Sequence, residues 1–306
     1  MDRNLIRIRT LDKDDIIGIL DQAKIFREIL DRPIKKVPAL RGKIVVNLFF
    51  EPSTRTRTSF ELAAKMLSAD VVNIATATSS AVKGESIKDT ALTMKSLGAD
   101  FIVVRHSQTG VPELIAKQGK FSVINGGDGF GEHPTQALLD MFTIRQKKGH
   151  IEGLNVVIMG DIAHSRVARS NIYALNKLGA NVHLVAPPTM IPAYVEELGV
   201  TVHYSPREVY DIADVVYLLR IQLERQKESL FPSLKEYARM YCVTSDMLSN
   251  FKNEVMVMHP GPINRGVEIS HEVADGVDTF IEEQVRNGVI VRMAVLYLLG
   301  GGKEVQ

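Results

Sequence analysis

The sequence contains very little cysteine and no tryptophan. Among its 306 residues the one cysteine is Cys242. A single cysteine excludes a disulfide framework and a multi-cysteine zinc site within the chain. Because Cys242 stands in an apolar stretch, between Tyr241 and Val243, we interpret it as a small core residue rather than a nucleophile.

Long hydrophobic runs and a charge excess of either sign are also missing. The best candidate for a membrane span, residues 293–299, is far shorter than the roughly 18 residues that a span requires. Residues 1–7 lack the apolar core of a signal peptide. Lys and Arg number 37 against 36 Asp and Glu, a net charge of +1, which argues against a globally basic nucleic-acid binder. We therefore predict a cytoplasmic protein with no nucleic-acid partner and no membrane partner.

Several catalytic motifs are absent from the sequence. It has no GxxxxGKS/T phosphate loop, no GxSxG and no HExxH, and each of these would mark a different chemistry. No tight cluster of Asp, Glu and His suggests a metal, so we expect no metal and no cofactor. The remaining polar residues suit a multiply anionic ligand, with catalysis by positioning and electrostatic stabilisation.

Short apolar runs alternate with amphipathic segments along the chain. The runs are nearly continuous in Val, Ile and Leu, as in strands buried on both faces of a parallel sheet. They lie at 43–50, 71–74, 101–104, 121–125, 154–159, 182–185, 215–219 and 255–258. Helical patterns lie at 59–67, 86–97, 134–146 and 166–178. This alternation predicts an α/β protein with right-handed crossovers.

The apolar runs form two groups of about four, before residue 130 and after residue 150. We predict two doubly wound parallel-sheet domains of similar size, residues 1–132 and 133–288, linked by a helix over 133–148. Leu-Gly-Ala signals at Gly98 and Gly179 fit helix ends followed by new strands. The apolar C-terminal stretch predicts a helix over about 289–306 that packs back on the first domain.

The segment from 49 to 60 joins a strand to a helix and is rich in hydroxyls and arginine. Ser53 is placed to cap the helix. Hydroxyls, backbone N–H groups and Arg55 at a helix N-terminus form an anion site, and Arg55 can bind phosphate bidentately. The alternative is a capped helix with a solvated arginine face.

Three other segments of the first half hold polar side chains. The loop 76–86 consists largely of small residues and carries one cation, Lys83, and its last residue, Ser86, forms a capping-box pattern with Asp89. Arg105 ends a strand, where ligands of open α/β sheets bind. His133 and Gln136 are three residues apart and so share one face of a helix.

The second half contains comparable junctions. The segment from Gly160 to Arg166 follows a strand but lacks the GxGxxG spacing of dinucleotide sites. Arg220 and Gln222 follow another strand, and their side chains are good hydrogen-bond donors. The turn 259–262, His-Pro-Gly-Pro, is rigid and exposes backbone carbonyls.

Together these segments resemble the aspartate carbamoyltransferases. Phe-Glu-Pro-Ser-Thr-Arg-Thr-Arg at 50–57 is similar to the carbamoyl-phosphate signature of aspartate and ornithine carbamoyltransferases, and the match continues in order over essentially the whole chain. The ornithine branch typically carries His-Cys-Leu-Pro where this chain has His-Pro-Gly-Pro. Arg220 and Gln222 also suit a second carboxylate, so both features favour aspartate.

The resemblance implies the carbamoyltransferase fold and transfer of a carbamoyl group from carbamoyl phosphate to the amine of L-aspartate, an early committed step of pyrimidine synthesis. It implies that the carbamoyl-phosphate site is formed by Ser53, Thr54, Arg55, Thr56, Ser79, Lys83, Arg105, His133 and Gln136. The implied catalytic residues are Arg55, Thr56, Lys83, Arg105 and His133. The implied aspartate-binding residues are Lys83, Arg166, Arg220 and Gln222, with the turn Pro260, Gly261 and Pro262.

The resemblance also implies an assembly and a conformational change. Ser79 and Lys83 would come from the neighbouring subunit of a homotrimer with shared active sites, and family members can also bind a regulatory chain or dihydroorotase. Glu51 would pair with Arg166 and Arg225 when the domains close. Three alternatives stay open: an ornithine carbamoyltransferase, a non-catalytic protein that binds phosphate ligands, and a Rossmann dehydrogenase. The dehydrogenase is disfavoured because the sequence lacks both the glycine fingerprint of dinucleotide sites and the acidic residue that binds the ribose.

Overall fold

The computed structural model describes residues 3–75, 86–222 and 233–302. The chain divides into unit 1, Met1–Phe142 with Val285–Gln306, and unit 2, Thr143–Gln284. The sequence placed the boundary at 132/133, before the linking helix, whereas this division falls inside that helix. The first half of the helix belongs with unit 1 because Asp140 interacts there with Arg292 of the C-terminal helix.

Unit 1 contains a parallel sheet with four strands among the described residues, in the order β2-β1-β3-β4. The strands are β1 (Ile44–Phe49), β2 (Asp70–Ala75), β3 (Phe101–His106) and β4 (Ser122–Asp128). The helices are α1 (Lys13–Leu30), α2 (Thr54–Met66), α3 (Ile87–Ser96) and α4 (Val111–Ala116), and α5 (Pro134–Lys148) leads into unit 2. β1 and β3 are neighbours whose following connections lead to opposite sides of the sheet. Ligands bind at such a switch point.

Unit 2 contains a second parallel sheet, whose described strands are ordered β7-β6-β5-β8-β9. They are β5 (Asn155–Met159), β6 (Asn181–Val185), β7 (Thr201–His203), β8 (Val215–Leu218) and β9 (Met256–Met258). The helices are α6 (Arg166–Lys177), α7 (Leu234–Tyr241), α8 (Ser245–Leu248) and α9 (His271–Ala274). The switch point here lies between β5 and β8. We did not predict β7, because its three residues include one strong apolar residue, Val202, and form no run.

Local signals in the sequence explain several element ends. Gly98 and Gly179 follow their helices with φ of 76° and 79°, the left-handed conformation predicted for them. Ser86 caps α3: its hydroxyl accepts the Asp89 N–H at 3.1 Å and donates to Asp89 Oδ2 at 2.6 Å. Strands β3 and β4 each extend beyond the apolar runs predicted for them, and Arg105 lies at the carboxyl end of β3, as predicted.

The C-terminal helix α10 (Ile281–Leu299) returns to unit 1, as predicted. The Tyr297 ring packs edge-on against Phe26 of α1, with 5.4 Å between ring centres, and Arg286 pairs with Asp31. The helix starts eight residues before the predicted position. The prediction missed its first turns because they carry Glu282 and Glu283, and the continuous apolar run begins only after them. In the described ranges, no helix is both long and apolar enough to cross a membrane.

Candidate functional site

The first candidate segment connects β1 to α2. Ser53 is the N-cap residue of α2, but its hydroxyl makes no capping hydrogen bond within the described chain. Thr54, Arg55 and Thr56 form the first turn, in which Thr56 is buried and Thr54 and Arg55 are exposed. The first N–H groups of a helix have no intrahelical acceptor and carry the positive end of the helix dipole. This turn can therefore bind an anion.

Arg105 is held at the carboxyl end of β3 by two neighbouring elements. Its Nη1 donates to the Gly126 carbonyl of β4 at 3.1 Å, and its Nε lies 3.2 Å from Glu51 Oε2, in the segment after β1. The register pairs Arg105 with Phe49, so its Cα lies beside the end of β1. Arg105 and the Ser53 segment therefore lie at the same switch point.

The Glu51–Arg105 ion pair was not anticipated from the sequence. The side chains are 20% and 15% exposed, so both are largely shielded from water. Glu51 thus orients the arginine that the resemblance places at the carbamoyl group. Pairing of Glu51 with Arg166 and Arg225 on closure stays a prediction, and Arg225 lies outside the described residues.

His106, next to Arg105, takes part in local contacts. Its Nδ1 accepts the Gln108 N–H at 2.9 Å, and its ring centre lies 4.7 Å from that of Phe50. Burial lowers the pKa of His106, although the charges of Glu51 and Asp128 oppose this effect. The ring is therefore neutral at pH 7, which fits a structural role.

His133 and Gln136 lie at the start of α5, and both side chains are buried. The His133 carbonyl accepts the N–H groups of Gln136 at 3.0 Å and Ala137 at 3.2 Å, which closes the first turn. Gln136 Nε2 donates to Asp140 Oδ1 at 3.1 Å. Since a carboxylate can only accept, this bond fixes the orientation of the Gln136 amide. The Gln136 carbonyl oxygen is then oriented to accept a hydrogen bond from a ligand N–H.

Buried carboxylates hold the glycine-rich loop in front of His133. Asp128 Oδ1 accepts from Asn125 Nδ2 at 2.8 Å and from the Glu132 N–H at 2.9 Å. Glu132 Oε2 accepts the Ile8 N–H at 2.6 Å, and burial raises the pKa of Glu132. A Cβ on Gly131 would lie 2.6 Å from Asp128 Oδ1. The glycines signalled this loop in the sequence, but its buried carboxylates were missed.

In unit 2, Asp161 joins the loops that follow β5 and β8. Its Oδ1 lies 2.7 Å from His164 Nδ1, and its Oδ2 accepts the Gln222 N–H at 3.3 Å. Gln222 Nε2 donates to the His164 carbonyl at 3.3 Å. The two loops meet closely at Gly160, where a Cβ would lie 2.6 Å from the Leu219 carbonyl oxygen. Asp161 therefore fixes the geometry of this switch point.

Two arginines predicted to bind aspartate lie on these same loops. Arg166 is the first residue of α6 and is buried, whereas Arg220 follows β8 and is half-buried. Ser165 caps α6 by accepting the Ala168 N–H at 3.1 Å. The candidate residues Arg166, Arg220 and Gln222 are thus carried by two loops that Asp161 ties together. His164, held by the same carboxylate, was not among the predicted site residues.

The third candidate segment of unit 2 is the turn after β9. His259 Nδ1 accepts the Gly261 N–H at 2.8 Å, Gly261 has φ of 61°, and the Gly261–Pro262 peptide is cis. Asn264 Nδ2 donates to the Ile221 carbonyl at 3.4 Å, which connects this turn to the loop after β8. The turn therefore belongs to the same group of loops as Gln222.

Some predicted site residues lie outside the described ranges, and the others are divided between unit 1 and unit 2. Ser79, Lys83 and Arg225 are in the first group. In unit 1 the structure brings Glu51 to Arg105. In unit 2 it brings Gln222 to Asp161, which was not a predicted site residue. Among the described residues, no group of three or more His, Cys, Asp or Glu is arranged to hold a metal ion.

Comparison with known proteins identifies the family of the chain. Residues 3–146 match the family model described as the carbamoyl-P binding domain of aspartate/ornithine carbamoyltransferase. Residues 152–299 match the model of the Asp/Orn binding domain. The aspartate carbamoyltransferase catalytic subunit of Moorella thermoacetica is 57% identical over 300 residues, covering 98% of both chains. That of Syntrophotalea carbinolica is 56% identical, covering 99% of this chain and 97% of the relative.

Solved structures of both acceptor branches share the fold. Aspartate transcarbamoylase from Trypanosoma cruzi, in complex with N-(phosphonacetyl)-L-aspartic acid, has a TM-score of 0.88 at 31% identity and covers 96% of this chain and 94% of its own. Ornithine carbamoyltransferase from Pyrococcus furiosus has a TM-score of 0.85 at 31% identity, over 98% and 97%. The fold therefore does not separate the branches, whereas the two relatives above 50% identity are both aspartate carbamoyltransferase catalytic subunits. The chain belongs to the aspartate/ornithine carbamoyltransferase family, among the aspartate carbamoyltransferase catalytic subunits.

Proposed function

We propose that this chain transfers the carbamoyl group of carbamoyl phosphate to L-aspartate, giving N-carbamoyl-L-aspartate and phosphate for pyrimidine synthesis. The observation that carries the proposal is the gathering of candidate residues at one switch point in each sheet. The Ser53 segment and Arg105 are arranged for an anion in unit 1. Arg166, Arg220 and Gln222 supply donors for two carboxylates in unit 2.

Carbamoyl phosphate binds through unit 1 in this proposal. The first turn of α2 provides N–H groups, hydroxyls and Arg55 for the phosphate. Arg105, His133 and Thr56 donate to the carbonyl oxygen of the carbamoyl group. Gln136, with its amide nitrogen on Asp140, presents its oxygen to the carbamoyl NH₂. Each ligand atom thus meets a protein group of the complementary hydrogen-bonding type.

The reaction follows from this arrangement. The neutral amine of aspartate attacks the carbamoyl carbon, a C–N bond forms, and the bond to the phosphate oxygen breaks. Arg105, His133 and Thr56 stabilise the charge that develops on the carbonyl oxygen. The departing phosphate takes the amine proton, so the protein supplies no covalent nucleophile. His133 acts as a hydrogen-bond donor.

Aspartate binds through unit 2. Arg166 and Arg220 each pair with one carboxylate, which arginine can do bidentately, and Gln222 adds a hydrogen bond. The carbonyls of the 260–262 turn face the amine. Lys83 of a neighbouring chain completes the aspartate-binding residues.

The shared-site homotrimer and the cytoplasmic location are part of the same proposal. If Lys83 acts in a neighbouring chain's site, Lys83→Gln and Arg105→Ala chains are each inactive alone, but mixing and reassembling them restores a fraction of the activity. A mixture that remains inactive while forming trimers would contradict shared sites. Each variant reassembled with itself is the control.

The acceptor is tested by product analysis. The purified chain is incubated with carbamoyl phosphate and either aspartate or ornithine, and the ureido product is measured. We expect carbamoyl aspartate and no citrulline. Citrulline formation would support the ornithine alternative, with which the similar fold of the Pyrococcus furiosus ornithine carbamoyltransferase is compatible. It would also overturn the roles of Arg220 and Gln222.

A further inference from the structure

We propose that Glu268 is a positioning residue for the aspartate-binding turn and that it acts through His259. This inference rests on the proposed function, because it assigns a role within the aspartate site. Glu268 lies after the turn, and neither our sequence reasoning nor the resemblance gave it a role. Its side chain is 1% exposed and that of His259 is 0% exposed.

The hydrogen bonds of His259 fix the ring in one tautomer. Its Nδ1 accepts the Gly261 N–H at 2.8 Å, so Nδ1 carries no proton. The proton of the neutral ring is then on Nε2, which lies 3.2 Å from Glu268 Oε1 and donates to it. Glu268 therefore sets the tautomer and the ring orientation, and the ring in turn holds Gly261 in the turn.

The same carboxylate oxygen also links the turn to the loop after β8. Glu268 Oε1 accepts the Asn264 N–H at 2.5 Å, and the Asn264 side chain donates to the Ile221 carbonyl at 3.4 Å. Ile221 stands between Arg220 and Gln222. One buried oxygen thus determines the positions of two segments proposed to bind aspartate.

The far side of the turn is anchored separately. The His259 N–H donates to Gln284 Oε1 at 2.9 Å, so the backbone position of His259 does not depend on Glu268. Loss of Glu268 should therefore release the imidazole and Gly261 while leaving the end of β9 in place. A misplacement of about 1 Å in a substrate-positioning group can cost about 100-fold in rate.

The experiment compares Glu268→Gln with Glu268→Ala. The glutamine keeps an oxygen that can accept from His259 and Asn264, whereas alanine removes both bonds. At saturating carbamoyl phosphate we expect Glu268→Ala to lower kcat/KM for aspartate by about 10- to 100-fold, with a raised aspartate KM and with the dissociation constant of carbamoyl phosphate unchanged. Glu268→Gln should rescue most of the loss, to within about fivefold of the unsubstituted chain.

A matched control is Glu208→Ala, in the same unit. Glu208 Oε2 also pairs with a histidine, His203 Nδ1, at 3.3 Å, and Glu208 Oε1 accepts backbone N–H groups, but it lies beside β7 instead of the switch point. This variant should leave the aspartate KM unchanged. Thermal unfolding of every variant reports the folded fraction.

Three outcomes would overturn the inference. They are an aspartate KM for Glu268→Ala within twofold of the unsubstituted chain, a Glu268→Gln variant as impaired as Glu268→Ala, and a parallel loss of carbamoyl-phosphate binding. An unsubstituted chain that forms no carbamoyl aspartate would overturn the proposed function, and the inference with it. The activity of the unsubstituted chain thus separates the two failures.

Discussion

The guanidinium carbon of Arg292 on α10 lies 5.0 Å from the centre of the Phe60 ring on α2. Burial lowers the pKa of Arg292 to about 10, and the charge of Asp140 opposes the shift, so Arg292 is charged at neutral pH. Asp140 is fully buried and holds the Gln136 amide. The C-terminal helix therefore supplies the positive charge that stabilises a carboxylate directly behind a candidate substrate-binding residue.

Removing that charge should destabilise the chain strongly. Arg292→Met removes a buried positive charge that interacts with the buried Asp140, and we expect a loss of about 3–5 kcal/mol in the free energy of unfolding. Arg286→Met is the control on the same helix, because Arg286 forms an exposed pair with Asp31 and should cost about 0–1 kcal/mol. Urea denaturation measures both variants. Equal losses would show that Asp140 does not depend on Arg292.

Arg105 and His133 should contribute to kcat through the developing oxyanion. Each donor to such an oxygen is worth roughly 10²–10³ in rate, so we expect losses of that size for Arg105→Ala and His133→Ala in steady-state kinetics. His106→Ala, which removes the neighbouring structural histidine, should lower kcat much less than either of these substitutions. A His133→Ala enzyme that turns over within twofold of the unsubstituted chain would contradict the donor role.

Gly160 should tolerate no side chain. It has φ of 128°, and a Cβ would lie 2.6 Å from the Leu219 carbonyl oxygen. We expect Gly160→Ala to destabilise the chain more than Gly149→Ala, which has φ of 82° and open space around its Cβ position. The latter should cost about 1–2 kcal/mol. Denaturant titration compares the two, and a smaller loss for Gly160→Ala would argue against close contact of the two loops.

The stability of the chain should fall in mild acid because of His183. Burial, and then the charge of His203, lowers the pKa of His183 below 6.5. Above pH 6.5 the ring is neutral in both states and costs nothing. As the pH falls below that value the unfolded chain binds the proton first, so stability declines until the folded pKa is passed.

The His183→Gln variant tests this pH dependence. It should lose less unfolding free energy than the unsubstituted chain between about pH 7.5 and about pH 5.5. His150→Gln, which removes an exposed histidine of the same unit, is a control that keeps His183. An unchanged slope in His183→Gln would assign the acid sensitivity to other groups.

The sequence predicted the strands and helices more completely than the buried polar groups that hold the candidate site residues in place. Arg105 and the Ser53 segment could be proposed as site candidates because each stands at the end of a recognisable apolar run, and Cys242 is buried as expected. Asp161, Glu268 and Asp140 were missed as organising groups. Asp161 accepts a hydrogen bond from Gln222, which is 61 positions away. Asp140 interacts with Arg292, which lies on the C-terminal helix. Hydrophobic periodicity contains no information about such distant polar pairs.

The assignment of one substrate to each unit is tested most directly by carbamoyl-phosphate calorimetry on Arg105→Ala and Arg220→Ala. We predict that Arg105→Ala weakens carbamoyl-phosphate binding at least about tenfold, since it removes a charged hydrogen bond. Arg220→Ala should bind carbamoyl phosphate normally and show a raised aspartate KM. Equal weakening of carbamoyl-phosphate binding in both variants would contradict the division of substrates between the units.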